Sequence, residues 1–308
     1  MASHLLRRLG GTLVVLMVVS VIVFVMLDVT PGDAAETLVG ESASEAQLAA
    51  LRREMGLDLP LVSRYLRFLA GAVRGDLGRS LISGRPVTGL LAERLPHTVT
   101  LALAATALAT ALGMAIGVAA ALRAGGLTDT LLMGVTSVGL AVPTFWSALL
   151  LMMFFSLRLG WLPVVGNSGW QGLILPMVTL ALPTMALVAR LMRTSVLDTL
   201  RAPYVRTAHA KGIEPRWVLG RHVLRNSLIP VATMLGLHLG HLMGGAFIVE
   251  TIFGWPGVGR LMVQGIFDRD LPVVMGAALV VAAVYLALNV VVDLLQGWLD
   301  PRITGQTL

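Results

Sequence analysis

Six stretches of this chain run for 19 residues or more without a single Asp, Glu, Lys or Arg: residues 9–27, 98–122, 131–157, 159–189, 226–249 and 271–292. An α-helix rises about 1.5 Å per residue, so roughly 20 apolar residues cross about 30 Å of hydrocarbon and each stretch is long enough to span a bilayer once. The fourth opens with a Gly/Pro/Asn-rich piece, 160–172, which places its helix nearer 172–189. The expected fold is an all-α, polytopic membrane protein with six transmembrane helices.

Composition agrees. The chain is 56% hydrophobic and 13% charged with a mean hydropathy of +0.83, more apolar than a water-facing surface of a 308-residue protein tolerates. The first stretch follows Arg7 and Arg8 as a signal peptide would. Its 19 residues exceed the usual apolar core of about 7–15, and residues 28–33 offer no small-x-small cleavage site, so it reads as an anchor.

Arginine placement gives the orientation. With the N-terminus inside, 12 basic residues lie inside and 11 outside, but eight of the 11 sit in the long loop 28–96. Long loops cross regardless of charge, which leaves 12 against three and puts both termini in the cytoplasm. The loop 190–226, with eight basic and two acidic residues, is the strongest inside signal. The arginine bias, 22 against the single Lys211, reads as a genome-composition effect together with membrane topology, and no nucleic-acid partner is expected.

Several chemistries are missing. Without cysteine there are no disulfides, thiolate metal sites or cysteine nucleophiles. A phosphate-cradling GxxxxGK loop needs a lysine after glycine, and Lys211 follows Ala210, so the chain hydrolyses no ATP by that motif. An ion-coupled carrier needs ionisable groups near the midplane, whereas Glu250 and Asp293 lie at the ends of their stretches. His238 and His241, three residues apart on one helix face, read as pore-facing or hydrogen-bonded groups. With no third ligand of suitable spacing, no metal site is expected. Ser137, Ser147 and Ser156 lack a Gly-x-Ser-x-Gly turn, and no catalytic residue is expected.

The long external segment is patterned. Ser44-Glu45-Ala46-Gln47 has capping-box spacing before Leu48, Leu51 and Met55, and Pro60 opens a second helical period through Tyr65, Leu66 and Leu69, so an ordered helical cap is expected. Residues 75–78 and 83–86 read as turns.

The basic loop is the most informative segment. Pro203 suits a first helical position, residues 204–211 continue the helix, and Gly212 supplies a left-handed stop. Glu214-Pro215 then starts a second helix toward Arg225. Ala208, Ala210 and Gly212 are small enough for a partner backbone to approach. A positive-inside tether or a surface resting on anionic lipid would need no such two-ended capping.

Here the chain resembles the membrane subunits of bacterial ATP-binding cassette importers. Arg206-Thr207-Ala208-His209-Ala210-Lys211-Gly212 is similar to the Glu-Ala-Ala-x-x-x-Gly loop as it occurs in the dipeptide/oligopeptide/nickel branch, where Arg206 and Thr207 replace the glutamate and first alanine. Thr30-Pro31-Gly32-Asp33, residues 56–60, 75–80, 250–259 and 269–272, and Asp300-Pro301-Arg302 resemble the B-type subunit of dipeptide and oligopeptide permeases.

The resemblance implies a type I importer transmembrane fold in the bacterial cytoplasmic (inner) membrane. It divides the chain into a first helix with external loop (1–93), a five-helix transmembrane domain (94–297) with coupling loop 190–226, and a cytoplasmic tail (298–308). Implied partners are a C-type permease subunit, two cytoplasmic ATPases that bind the ATP and Mg, an extracytoplasmic binding protein and a peptide. Tyr204, Arg206, Thr207, Ala208, Ala210, Lys211, Gly212 and Glu214 would form the coupling contact. Thr144, Ser147, Thr184, Thr233, His238 and His241 are candidates for a polar path, with bends at Pro143, Pro176 and Pro183. Glu250, Trp255, Pro256 and Gly257 would form an outer gate turn. A nickel or other small-solute importer shares every motif, and an ATPase-independent carrier is the rival of a different class.

Overall fold

A computed structural model of the chain describes residues 2–29, 32, 34–39, 44–166 and 169–299, with side chains at 2–9, 12–13, 27–28, 237, 239–245 and 291–299 outside the description. The expectations for Thr30, Pro31, Asp33 and residues 300–308, and for the side chains of His241 and Asp293, therefore fall outside the described residues. Regular structure among the described residues is helical. In chain order it is α1 (Ala2–Val29), α2 (Ala34–Val39), α3 (Glu45–Glu54), α4 (Leu61–Val73), α5 (Val87–Leu122), α6 (Leu127–Ala141), α7 (Thr144–Leu151) running into a π-helix (Met152–Arg158), and α8 (Trp170–Leu200). Then follow α9 (Pro203–Ala210), α10 (Pro215–Trp217) running into a second π-helix (Val218–Leu224), α11 (Arg225–Ile252), α12 (Val258–Phe267) and α13 (Leu271–Leu299).

The uncharged stretches coincide with helices, the third with α6, α7 and the first π-helix together and the fourth with α8 from Trp170 on, but the boundaries move. Among the described residues three helices are long and apolar enough to cross a membrane, or four with the bent α6–α7 pair as one span. The third stretch is not a single rod: its two halves meet at 104°. Pro143 is the cause, since its ring forces Val142 out of the helical region (ψ 122°) and it has no N–H to continue the ladder. Pro176 and Pro183 instead lie inside the continuous α8. That helix runs eleven residues past the expected Ala189, because Met192 and Val196 continue its buried stripe. Helix α5 likewise starts at Val87, before Pro96. Val87, Leu90 and Leu91 are buried, and this packing offsets the hydrogen bond that proline removes.

By internal contacts the chain forms two compact units, Met1–Thr98 with Pro256–Leu286, and Val99–Trp255 with Ala287–Leu308. In the first, the expected capping box is present: Ser44 Oγ accepts the Gln47 N–H at 3.3 Å and Gln47 Oε1 accepts the Ser44 N–H at 3.1 Å. Its core joins Val87, Leu90 and Leu91 of α5 to Val258 of α12 and Val273 and Ala277 of α13. Asp270 ties this unit together. Its carboxylate accepts the Ser80 hydroxyl, the Leu81 N–H at 3.1 Å and, as the cap of α13, the Val273 N–H at 3.5 Å.

In the second unit α8 is the central element, packed against α6, α7 and α11. Gly113 and Gly117 of α5 let it come close: a Cβ on Gly113 would meet Met185 O at 2.7 Å, and one on Gly117 would meet Ala189 O at 2.5 Å.

Asp270→Ala would leave the buried Ser80 hydroxyl and Leu81 N–H without their acceptor, a loss of about 1–3 kcal/mol. The expected outcome is a lower unfolding temperature in detergent than for wild type, with Asp58→Ala, at an exposed position, unchanged.

Candidate functional site

The chain leaves α8 at Arg201 and re-enters a helix two residues later. Ala202 is extended (ψ 142°) and Pro203 takes the first helical position, where its missing N–H is not required. Helix α9 then runs eight residues and ends as the sequence predicts, with Gly212 left-handed at φ +74°. The Ile213 N–H bonds Ala208 O at 3.3 Å and the Gly212 N–H bonds His209 O at 2.9 Å, the 6→1 and 5→2 pair of a Schellman stop. Nothing lies within 4 Å of a Cβ built on Gly212, so its glycine requirement is conformational. Glu214 precedes Pro215 as expected, but its carboxylate pairs with Arg216 at 2.7 Å and caps no backbone N–H.

Helix α9 has two faces. Val205 and Ala208 are buried against Met192 and Val196 of α8 and Val218 and Val223 of the second π-helix. Ala208 therefore packs in the chain's own core, and its small side chain serves that contact rather than a partner's approach. Tyr204, Arg206, Thr207, Ala210, Lys211, Gly212 and Glu214 are exposed. Thr207 Oγ1 bonds back to Pro203 O at 3.1 Å, while Lys211 sits at the negative end of the helix.

Two interactions not anticipated from the sequence hold the base of this elbow. Ser195 and Ser227 exchange side chain-to-carbonyl bonds of 3.0 and 3.2 Å between α8 and α11, and Ser227 Oγ also lies 3.1 Å from Thr199 Oγ1. Arg193 clamps Asp129 of α6 in a fork with both N···O distances 2.6 Å, while the Gly125 N–H donates to Asp129 Oδ2 at 2.9 Å. The acid Asp129, alone among uncharged neighbours just before the third stretch, was the available signal for the second.

The polar candidates scatter. Thr184 of α8 and His238 of α11 come together, His238 Nε2 lying 3.1 Å from Thr184 Oγ1. Thr184 is fully buried, so in this conformation it joins two helices and borders no open space. Ser147 bonds Thr144 O at 2.9 Å within the first turn of α7, and Thr233 is half-buried on α11. His241 lies outside the described side chains. Among the described residues no three His, Cys, Asp or Glu side chains group together.

After α11 the chain makes a second Schellman stop. Gly254 is left-handed (φ +63°), the Trp255 N–H bonds Glu250 O at 2.8 Å and the Gly254 N–H bonds Thr251 O at 3.3 Å. Phe253 O accepts the Gly166 N–H at 2.6 Å, and the Trp255 ring is buried over Gly166, where a Cβ would meet it at 2.9 Å. Glu250 is fully buried. Pro256 is half-buried, and Gly257 caps α12, whose Val258 N–H bonds Thr98 Oγ1 at 2.8 Å.

Residues 113–305 match the family described as binding-protein-dependent transport system inner membrane component, and residues 1–102 match the N-terminal part of such components. The chain is 40% identical over 303 residues to the glutathione transport system permease protein GsiC of Escherichia coli K12 and equally to that of Salmonella typhimurium LT2, covering 98% of this chain and 99% of each relative. In fold it is similar to a crystal structure of an amino acid ABC transporter (TM-score 0.54, 16% identity, 70% of this chain and 94% of that one). It is also similar to the inward-facing MetNI methionine ABC transporter (TM-score 0.55, 16% identity, 68% and 94%). The expected type I importer fold is thus present.

A side chain at a left-handed position costs about 1–2 kcal/mol. Gly212→Ala is expected to lower the unfolding temperature, whereas Gly220→Ala, where nothing lies within 4 Å and φ is not positive, is expected to leave it unchanged.

Proposed function

Since the chain belongs to the family of binding-protein-dependent transport system inner membrane components, and is a multi-pass permease subunit of an ABC importer, we propose that it is the B-type subunit of a dipeptide or oligopeptide importer. In this reading it is no enzyme itself and pairs with a C-type subunit. Two cytoplasmic ATPases hold the ATP and Mg, and a binding protein delivers the peptide from outside. Both termini are cytoplasmic, residues 1–93 form the first helix and external segment, 94–297 the path-forming domain, and 298–308 the tail.

The observation that carries the reading is the α9 elbow. It is capped at both ends and seated through Val205 and Ala208 on the end of α8, and it presents Arg206, Lys211 and Tyr204 outward. A rigid, cationic, solvent-facing knob on the longest helix of its unit is what an ATPase groove needs in order to push. Thr144, Ser147, Thr184, Thr233, His238 and His241 are assigned to the path, which opens as α8 and α11 part. The turn Glu250–Gly257, including Trp255 and Pro256, closes the outer side. The glutathione relatives support a short peptide or peptide-like cargo over nickel.

The test is co-purification in mild detergent of the ATPases with wild type and with a chain whose residues 206–212 are a Gly/Ser linker. The expected outcome is ATPase retained by the native loop alone. Arg206→Ala with Lys211→Ala is expected to reduce peptide uptake without reducing membrane insertion. Retention of ATPase by the linker chain would overturn the assignment of α9, and uptake without any ATPase would establish a self-sufficient carrier.

A further inference from the structure

We propose that α4, expected from the sequence to belong to a cap outside the membrane, lies in the headgroup–acyl boundary, and that the cavity behind it takes a phospholipid whose phosphate faces Arg64 and Arg67. This rests on residues 9–27 being a membrane span and is independent of the cargo.

Three contacts set the depth of α4. The Tyr65 hydroxyl lies 2.9 Å from Ser20 Oγ, the Tyr65 ring meets Phe24 edge-on at 5.3 Å, and the Arg64 guanidinium sits 5.7 Å over the Phe24 ring. Ser20 and Phe24 precede the last uncharged residue of the span, Leu27, by seven and three positions. At the helical rise they lie about 10 and about 5 Å inside its end. Amphipathic helices that lie in the interface bury their apolar face by about 5–10 Å, the same depth.

The surface of α4 suits that place. Val62, Leu66, Ala70 and Val73 recur at intervals of four, four and three, share one face, and are all exposed, Val73 by 82%. In water this stripe is unfavourable, whereas acyl chains would cover it as they would the exposed Val18, Val21, Ile22 and Val25 of α1.

Behind α4 is a cavity of about 300 Å³ walled by Phe24, Leu57, Phe68 and Leu271, with Arg64 and Arg67 also lining it. Asp76 lines it too, with its Oδ1 accepting the Gly78 N–H at 2.9 Å, and Arg64 and Arg67 are the cationic groups of the lining. Guanidiniums take a phosphate in a fork. A free anion would use them and leave the apolar wall unfilled; a phospholipid uses both.

The chain has no cysteine, so single nitroxide labels at Leu66→Cys and Val73→Cys report depth in the assembled transporter in phosphatidylglycerol-containing nanodiscs. Val18→Cys serves as the mid-span reference and Arg53→Cys as the aqueous one. Labels at 66 and 73 are expected to be reached by oxygen and shielded from a water-soluble nickel chelate. Chelate access equal to that at 53 would overturn the proposal and favour a protein docking on this face. Water-like access at 18 as well would overturn the placement of α1 itself. Native mass spectrometry is expected to find phosphatidylglycerol retained by wild type and lost by Arg64→Gln with Arg67→Gln. Equal retention would overturn the phosphate site, and displacement by inorganic phosphate would make it a site for free anions.

Discussion

A peptide group that leaves a helix inside hydrocarbon finds no water, so every interruption of a span must supply its own partners. The breaks in this chain show how. At Pro143 the carbonyl accepts both the Trp146 and Ser147 N–H groups, at 3.0 and 3.1 Å, so α7 starts from the residue that ended α6. After α11 the Gly254 stop closes two carbonyls on the chain itself, and the Gly166 N–H closes a third, that of Phe253. The α9 elbow uses the same stop at Gly212. Each of these sites uses a glycine or proline that another residue replaces only with strain or an added N–H, and the short motifs record those residues.

The same constraint explains the stiffness beneath α9. Two glycines bring the α5 backbone onto α8 at Met185 and Ala189. The Ser195–Ser227 exchange joins α8 to α11, and the Arg193–Asp129 fork joins it to α6. Deleting one partner of such a pair costs more than the pair contributes, because the other is left buried and unsatisfied. The end of α8 that carries the elbow is thus tied to three neighbours within about three helical turns of sequence.

Helix existence, the capping box at Ser44, the α9 elbow and its glycine stop were legible because each rests on local chemistry within four or five residues. Boundaries were not. A charge-free run marks where hydrocarbon begins and has no bearing on where a helix stops, so α5 and α8 each extend eleven residues beyond their runs on the strength of buried Val87, Leu91, Met192 and Val196. Proline position was visible but its effect was not: Pro143 turns the chain, while Pro176 and Pro183 are carried within α8 by the packing around them. Long-range ties such as Asp270 to Ser80, 190 residues apart, leave no periodic trace. The faces of α9 were readable only in part, since the direction of Ala208 depends on Val218 and Val223, which belong to the next helix.

Under the proposed function, the contrast between two kinds of helix contact decides what moves. Thr184 and His238 meet through a side-chain hydrogen bond at 3.1 Å, and such a bond contributes a net of about 1 kcal/mol because its groups would find water in an open path. The α5–α8 contact at Gly113 and Gly117 has no such exchange available, because separating two backbones packed that closely opens a void that side chains of neighbouring helices do not fill. In the proposed opening α8 and α11 therefore stay tied at Ser195 and Ser227 and part further along, at the Thr184–His238 face, while α8 keeps its contact with α5. In that reading the Thr184–His238 pair marks the contact that opens, and the glycines mark the one that holds.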